Sequence, residues 1–159
     1  MAKRKELIRF SLELVIIVAV TATVCTKIVV PVKIQGDSMY PTLHDKDTLI
    51  VNKLYLNRSD IKRFDIVVLK SDKLNQDIIK RVIGLPGDNI VFKDDKLYIN
   101  GPYYVEDYLD KDYIEEAKEK YNAKLFTEDF EITLDNDEIF VLGDNRLRSS
   151  DSRTLGTFK

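Results

Sequence analysis

An apolar N-terminal stretch, residues 7–34, constrains this chain more than any other feature of its sequence. Its centre, residues 14–26, contains no charged side chain. That centre has 13 residues, and a helix that crosses a bilayer needs about 20, so the apolar residues on either side must complete the span. The stretch therefore predicts one N-terminal transmembrane helix.

The charges that flank this stretch predict its direction. Lys3, Arg4 and Lys5 precede it, and basic flanks stay on the cytoplasmic side of a membrane. Residues 1–31 are therefore predicted to form a cytoplasmic tail and a single-pass anchor in the cell membrane, and residues 32–159 an extracytoplasmic domain. Two alternatives are a cleaved secretory signal and a helix buried in a protein core.

Composition excludes several classes of function. The whole chain has a formal charge of −2 although its first 30 residues are positive on balance, so its body is acidic and does not suit nucleic acid. The single cysteine, Cys25, excludes an internal disulfide and a cysteine zinc cluster. No His-Glu-x-x-His pattern or phosphate-binding glycine loop occurs. The sequence therefore predicts neither a metal nor a cofactor.

Short runs rich in β-branched residues follow Pro31, and turn signals such as Asn100-Gly101 separate them. Residues 112–124 have a helical pattern, inside a polar stretch, residues 102–135, that predicts a surface insertion. The fold class is predicted to be mainly β. The predicted strands are residues 32–35, 48–52, 66–70, 78–83, 89–92, 96–99 and 139–142.

Ser38 is a candidate nucleophile directly after the membrane segment. Gly36 permits a tight backbone before it, and Pro41 stiffens the chain after it. An ordinary turn is the alternative interpretation. The one histidine, His44, could alone supply the base of a Ser-His-Asp triad, and lysine is the known alternative base.

Lys80 is a candidate for that base. Strand alternation places it on one face with Ile78 and Val82. An ordinary lysine has a pKa of about 10.4 and is protonated at pH 7, whereas burial lowers the pKa and makes the amine a useful base. The alternative is a lysine on an edge strand with its ammonium in water.

A polar segment, residues 143–153, follows the last predicted strand. It begins with Gly143 and Asp144 and ends with Asp151, Ser152 and Arg153. One interpretation is a solvated loop whose surface ion pairs contribute little stability. The other is an ordered loop, held by Asp151 and Arg153, in which a serine hydroxyl contacts the lysine amine.

These three segments, in this order, resemble the boxes of the type I signal peptidases, Ser/Lys proteases that remove signal peptides from exported proteins. Residues 36–43 resemble the nucleophile box, residues 80–88 the lysine box, and residues 143–156 the Gly-Asp-Asn-Arg and Asp-Ser-Arg box. Residues 63–68 resemble the box between them, with Phe64 where glycine is usual. In having glycine at position 36, the sequence resembles the Gram-positive branch of the family.

The resemblance implies that Ser38 is the nucleophile and that Lys80 is the general base. It also implies that Ser149 orients Lys80 and that Asp151 and Arg153 form a supporting ion pair. The same boxes imply further site residues. Gly143 and Asp144 belong to the supporting segment. The nucleophile turn with its oxyanion region contains Gly36, Asp37, Met39 and Pro41.

The resemblance further implies a mostly antiparallel β-sheet and preproteins with small residues at the first and third positions before the cut. The partners would be signal-peptide-bearing preproteins and the lipid bilayer. Relatives usually continue beyond the segment that resembles residues 156–158 with another strand, so a C-terminal strand is expected to be missing here.

Two other functions compete with the protease. A non-catalytic, signal-peptidase-like assembly factor for an exported surface protein should have lost the serine or the lysine, and this chain has both Ser38 and Lys80. A self-cleaving Ser/Lys regulator would be soluble, which the apolar N-terminus contradicts.

Overall fold

The computed structural model of the chain describes residues 2–27, 29–52 and 60–159. The chain forms two compact units. The first contains Met1–Lys33 and Thr48–Asp60, and the second contains Ile34–Asp47 and Ile61–Lys159. The elements, in chain order, are α1 (Ala2–Lys27), β1 (Val29–Lys33), β2 (Thr48–Asn52), β3 (Ile66–Ser71), β4 (Gln76–Gly84), β5 (Asn89–Lys93), β6 (Lys96–Ile99), β7 (Tyr103–Tyr104), α2 (Lys111–Lys120), β8 (Phe130–Thr133), β9 (Phe140–Leu142) and α3 (Ser152–Leu155).

Helix α1 is long and apolar enough to cross a bilayer. Its apolar part covers 22 residues, Lys3–Val24, none of which is buried against the rest of the described chain. A helix satisfies its own backbone hydrogen bonds, as a membrane span requires. The predicted N-terminal apolar helix is confirmed, and the alternative of a buried core helix is wrong, because side chains such as Leu14 and Ile17 are exposed.

The first unit also contains the pair of strands β1 and β2. They run antiparallel, with Val30 opposite Val51 and Lys33 opposite Thr48. Strand β1 therefore lies nearer the N-terminus than the predicted strand over residues 32–35, because pairing with β2 ends at Lys33 and the chain then turns away.

In the second unit, a three-stranded antiparallel sheet has the order β3-β4-β9. Its middle strand, β4, is buried from Lys80 to Gly84. The backbone shifts register between Val82 and Gly84, where β4 pairs with β9. A side chain at Gly84 would collide with those of Ile90 and Leu134, so glycine permits the close approach of β4 to its neighbours.

A four-stranded antiparallel sheet, with the order β7-β6-β5-β8, completes the second unit. Together the sheets confirm the predicted mainly β, antiparallel fold. One buried apolar cluster contains residues from strands of both, and its members are Ile83, Ile90, Phe92, Leu97, Ile99, Leu134, Phe140 and Leu142.

The prediction that residues 102–135 form a surface insertion needs correction. Strand β8 lies within this stretch and pairs with β5, so it is part of a sheet. Phe126 and Leu134 are buried. The apolar residues of β8 alternate with polar ones. This alternation covers only four residues and follows a charged stretch, so the sequence pattern did not predict a strand there.

The predicted helix over residues 112–124 corresponds to α2. The carboxylate of Asp110 caps α2 by accepting a hydrogen bond from the backbone N–H of Tyr113. The helix ends at Lys120, earlier than predicted, because Asn122 adopts a positive φ of 50°, which a helix cannot accommodate.

Candidate active site

The side chains of Ser38 and Lys80 meet in the second unit. Nζ of Lys80 lies 2.7 Å from Oγ of Ser38 and 2.9 Å from the carbonyl oxygen of Ile79. Lys80 is 3% exposed, because β4 is the middle strand of its sheet. The alternative of an edge-strand lysine with its ammonium in water is therefore wrong.

The surroundings of Lys80 change its acidity. Burial lowers the pKa of the Lys80 amine, while the negative charges of Asp151 and Asp144 act in the opposite direction. Burial prevails, so the pKa lies below that of an ordinary lysine. A neutral amine can accept the proton of the serine hydroxyl 2.7 Å away.

The turn that carries Ser38 is fixed by the segment that follows β9. The backbone N–H of Asn145 donates to the carbonyl oxygen of Ser38 at 3.0 Å, and Nδ2 of Asn145 donates to that of Asp37 at 3.0 Å. Met39 is buried and holds the turn to the core. One residue thus positions two consecutive peptide groups at the candidate nucleophile.

The turn begins at Gly36 and ends near Pro41. Gly36 adopts a φ of 86°, a region that favours glycine, and its N–H donates to a carboxylate oxygen of Asp45 at 2.8 Å. The Tyr40–Pro41 peptide bond is cis. Both residues therefore shape the backbone around Ser38.

Asp144 lies at the centre of a buried ion pair. The guanidinium of Arg81 donates to its two carboxylate oxygens, from Nε at 2.8 Å and from Nη2 at 2.6 Å. The hydroxyl of Thr42 donates to the same carboxylate. Asp144 is 0% exposed, and this pairing compensates for the loss of its hydration. The pair joins β4 and the nucleophile turn to the segment after β9.

Asp151 and Arg153 form a second ion pair nearby. Nε and Nη2 of Arg153 donate to the carboxylate of Asp151, each at 2.8 Å. The same carboxylate accepts a hydrogen bond from the backbone N–H of Gly143 at 3.0 Å. Asp151 therefore holds the end of β9 as well as the arginine.

Another buried arginine, Arg146, was missed in the sequence. It donates from Nε to the carbonyl oxygen of Gly143 at 3.0 Å and from Nη1 to the hydroxyl of Thr127 at 3.0 Å, and it pairs with the carboxylate of Glu106. Residues 143–153 are therefore not a solvated loop. Asp144, Arg146 and Asp151 are buried because each has a partner, whereas Arg148 is exposed. The partners of Asp144 and Arg146 come from distant segments that the sequence pattern does not connect.

Ser149 lies beside the candidate dyad without contacting the lysine amine. Its Oγ is buried and has no hydrogen-bond partner in the described part of the chain. The expected hydrogen bond from Ser149 to Lys80 is therefore not formed in this structure. A Cβ atom at Gly143 would overlap with the side chain of Ser149 and the carbonyl oxygen of Ser38, so glycine allows both serines to approach the end of β9.

His44 lies on the exposed side of the turn. Its ring packs edge-on against Tyr40, with 5.1 Å between the ring centroids, and Nδ1 lies 3.7 Å from the carboxylate of Asp47. The hydroxyl of Ser38 contacts Lys80 instead. Residues 2–27, 29–52 and 60–159 contain no cluster of side chains that could hold a metal ion.

Comparisons with known proteins match the sequence to a family. The sequence matches the family described as "Signal peptidase, peptidase S26" over residues 7–159. It is 40% identical over 151 residues to signal peptidase I U of Bacillus subtilis (strain 168). That match covers 95% of this chain and 79% of the relative. It is 38% identical over 159 residues to signal peptidase I of Bacillus amyloliquefaciens. That match covers 99% of this chain and 83% of the relative.

A solved structure is similar as well. The crystal structure of a signal peptidase I from Enterococcus faecalis V583 matches with a TM-score of 0.53 and 39% sequence identity. The match covers 63% of this chain and 90% of the other. At this identity the likeness extends beyond the fold.

Proposed function

Because the chain belongs to the signal peptidase family, peptidase S26, in its Gram-positive form, we propose that it cuts its substrates with Ser38 as nucleophile and Lys80 as general base. As a member of this family, the protein is a membrane-anchored serine endopeptidase that removes signal peptides.

The contact between Lys80 and Ser38 is the observation that supports the proposal most strongly. In the first step, the neutral amine takes the proton of the hydroxyl while Oγ attacks the carbonyl carbon of the scissile peptide bond. The resulting ammonium then gives its proton to the departing amine, and an ester joins Ser38 to the signal peptide. Water, deprotonated by the same lysine, hydrolyses that ester and restores both residues.

The backbone N–H of Ser38 is proposed to stabilise the oxyanion that forms in each half of the reaction. Such donors reduce the barrier most when they are fixed before the reaction begins. The hydrogen bonds from Asn145 to the carbonyl oxygens of Asp37 and Ser38 fix the peptide groups of this turn. Asp37, Met39, Gly36 and Pro41 thus act through the shape of the turn.

The residues after β9 are proposed to hold the dyad in place. Asp144 and Asp151 are each paired with an arginine, and Gly143 allows the close contact with Ser38. Ser149 is proposed to orient the lysine amine when a substrate excludes water from the site. Its hydroxyl, unpaired in the described chain, is free for that contact.

The membrane arrangement and the substrates complete the proposal. We infer an uncleaved α1 as the anchor, with the N-terminus in the cytoplasm and residues 32–159 outside, since Lys3, Arg4 and Lys5 precede the span. The substrates are preproteins whose signal peptides are themselves held in the bilayer, cut after a small-x-small sequence. A non-catalytic assembly factor is not favoured, because the serine and the lysine are both present and in contact.

Cleavage of a preprotein with an Ala-x-Ala site, by the full chain in detergent, tests the dyad. We expect the parent to cut at that site, and Ser38→Ala and Lys80→Met to lose at least about a thousandfold in kcat/KM. His44→Ala is the matched control, and it should retain most of the activity because the exposed ring packs on Tyr40 while the hydroxyl of Ser38 contacts Lys80. A loss in His44→Ala as large as that in Lys80→Met would contradict the Ser/Lys assignment.

A further inference from the structure

Tyr108 contacts two buried arginines of the site from the segment that joins β7 to α2. Its ring faces the guanidinium of Arg81, whose central carbon lies 4.0 Å from the ring centroid. Its hydroxyl accepts a hydrogen bond from Nη2 of Arg146 at 3.1 Å. Arg81 pairs with the carboxylate of Asp144. Arg146 donates to the carbonyl oxygen of Gly143. One side chain thus contacts two cations that bind the segment after β9.

The guanidinium of Arg81 is held through its N–H groups and across one face. Nε and Nη2 donate to Asp144 at 2.8 and 2.6 Å, and Nη1 donates to the carbonyl oxygen of Phe64 at 2.9 Å. The face is covered by the ring of Tyr108, which packs in turn on the ring of Phe64 with 5.2 Å between the centroids. An aromatic face attracts a guanidinium, more strongly where water is excluded. The ring of Tyr108 therefore helps to fix the plane in which Arg81 meets Asp144.

The hydroxyl of Tyr108 has other partners than its ring. It donates to the carboxylate of Glu106 and accepts from Arg146. Burial raises the pKa of this phenol, while the positive charge of Arg146 acts in the opposite direction, and burial prevails. The phenol therefore stays neutral, and a neutral hydroxyl can donate and accept at once. Because the hydroxyl serves Arg146 and the ring serves Arg81, the two parts of Tyr108 can be tested separately.

The pairing of Arg81 matters at the dyad because Asp144 acts on Lys80. Its carboxylate favours the protonated amine, and a protonated amine cannot accept the proton of Ser38. The positive charge of Arg81 offsets that carboxylate. Three ion pairs contribute charges that act on Lys80 or on Asp144, namely Asp144 with Arg81, Asp151 with Arg153, and Glu106 with Arg146.

We propose that Tyr108 is a positioning residue for the cleavage reaction, whose ring holds Arg81 against Asp144 and so keeps that carboxylate neutralised beside the dyad. The inference rests on the proposed function, since it concerns the state in which Lys80 acts as a base. Phe64 contributes through its carbonyl oxygen, which accepts from Arg81, and through its ring, which supports that of Tyr108.

The pH profile of kcat/KM tests the inference, with the full chain in detergent and a preprotein that has an Ala-x-Ala site. Tyr108→Met removes the aromatic face and keeps an apolar side chain. We expect the ascending limb to move to higher pH by about 0.3–0.5 unit, because a less firmly held Arg81 offsets Asp144 less well. Tyr108→Phe keeps the aromatic face, so its limb should stay where it is in the parent. Its midpoint of urea unfolding should fall, because Glu106 and Arg146 lose the hydroxyl.

Tyr104→Met is the matched control. The ring of Tyr104 lies under the guanidinium of Arg63, 5.4 Å from its centroid, and Arg63 pairs with Asp88 at 2.9 Å. The same three kinds of side chain therefore meet there. Among the described residues, the carboxylates that act on Lys80 are Asp151 and Asp144 rather than Asp88. Tyr104→Met should lower the midpoint of urea unfolding without moving the limb. Equal limb shifts in the two methionine variants would overturn the inference, since they would reflect a general loosening of the fold.

Phe64→Gly provides a second variant that the backbone favours. Phe64 adopts a φ of 72°, a region that favours glycine, and the carbonyl group that accepts from Arg81 is retained. The ring that supports Tyr108 is lost, so the limb should move in the same direction as in Tyr108→Met, but less far. A limb that keeps the parent's position in Tyr108→Met, or in Phe64→Gly where Tyr108→Met does not fold, would overturn the inference.

The profile of the parent separates this inference from the proposed function. If the parent cuts with an alkaline limb and Tyr108→Met leaves that limb in place, the positioning role fails while the Ser38 and Lys80 assignment stands. If the parent cuts no preprotein, or if its limb reports a group that titrates near about 6.5, the dyad assignment fails and this inference fails with it.

Discussion

The two carboxylates that act most strongly on Lys80 are both occupied by arginines. Asp151 and Asp144 each favour the charged form of the lysine, which would make it a poor base. Arg153 binds the first and Arg81 the second, each through two hydrogen bonds. The arginines therefore offset the charges that would otherwise retain the proton on Lys80, and burial determines the outcome.

The pH dependence of cleavage follows from this arrangement. The pKa of Lys80 is lowered, so the neutral amine becomes abundant at a lower pH than in an ordinary lysine. We expect kcat/KM to rise with pH through this pKa and then reach a plateau. In Arg153→Gln the charge of Asp151 is no longer offset, so the pKa of Lys80 should rise and the ascending limb should move to higher pH.

A pH profile of kcat/KM measures both effects. Lys159→Gln also removes one positive charge, from an exposed pair with Asp137, and should leave the limb where it is in the parent. A limb that stays fixed in Arg153→Gln would contradict the role given to that arginine. A limb set by a group that titrates near about 6.5 would indicate a histidine instead.

At the scale of elements, Arg146 joins the end of β9 to the segment between β7 and β8. Its guanidinium is buried and contacts Glu106, Thr127 and Tyr108 in addition to the carbonyl oxygen of Gly143. The ring of Tyr108 also lies under the guanidinium of Arg81, 4.0 Å from its centroid. The segment without family motifs therefore supports the segment that carries them.

Removal of Arg146 should be severe for stability. Arg146→Met leaves the largely buried carboxylate of Glu106 without its arginine partner, and we expect the free energy of unfolding to fall by about 3–5 kcal/mol. The double variant Arg146→Met/Glu106→Gln should regain part of this loss, because no buried charge is then left alone. Urea unfolding measures these changes, and Arg148→Met, at an exposed neighbouring arginine, should change the free energy of unfolding by less than about 0.5 kcal/mol.

The elements also show how far the sequence alone could go. Strands β3 to β6 were predicted to within about two residues, because alternation of apolar and polar residues reports which face is buried. Strands β7 and β8 were missed, because they are short and lie in a highly charged stretch. The order of the site segments was predicted, whereas the pairing of Asp144 with Arg81 was not. Such pairs depend on which strands become neighbours in space.

For the molecule as a whole, the apolar helix α1 is attached to an acidic body. The 22 residues Lys3–Val24 would extend about 33 Å as a helix, close to the thickness of a bilayer core of about 30 Å. Apolar side chains are exposed along this length, and no described residue covers them. In water such a surface would associate, which agrees with a membrane-anchored protein.

A charge at the centre of α1 tests this conclusion. We expect Ile17→Arg to reduce the fraction of protein that stays with the membrane after alkaline extraction, since arginine at the centre of a span costs about 2.5–3.5 kcal/mol. Ile17→Leu keeps the apolar surface and should remain with the membrane like the parent. Equal retention of both variants would mean that α1 does not span the bilayer.

The crowding at Gly143 has a consequence for the evolution of resistance. Any other amino acid there would place its Cβ against the backbone carbonyl oxygen of Ser38, which cannot rotate away as a side chain can. An antibacterial compound whose contacts were concentrated on Gly143 and the peptide groups of Asp37 and Ser38 would thus bind where substitutions are poorly tolerated. Bacteria would find few escape mutations at such a site.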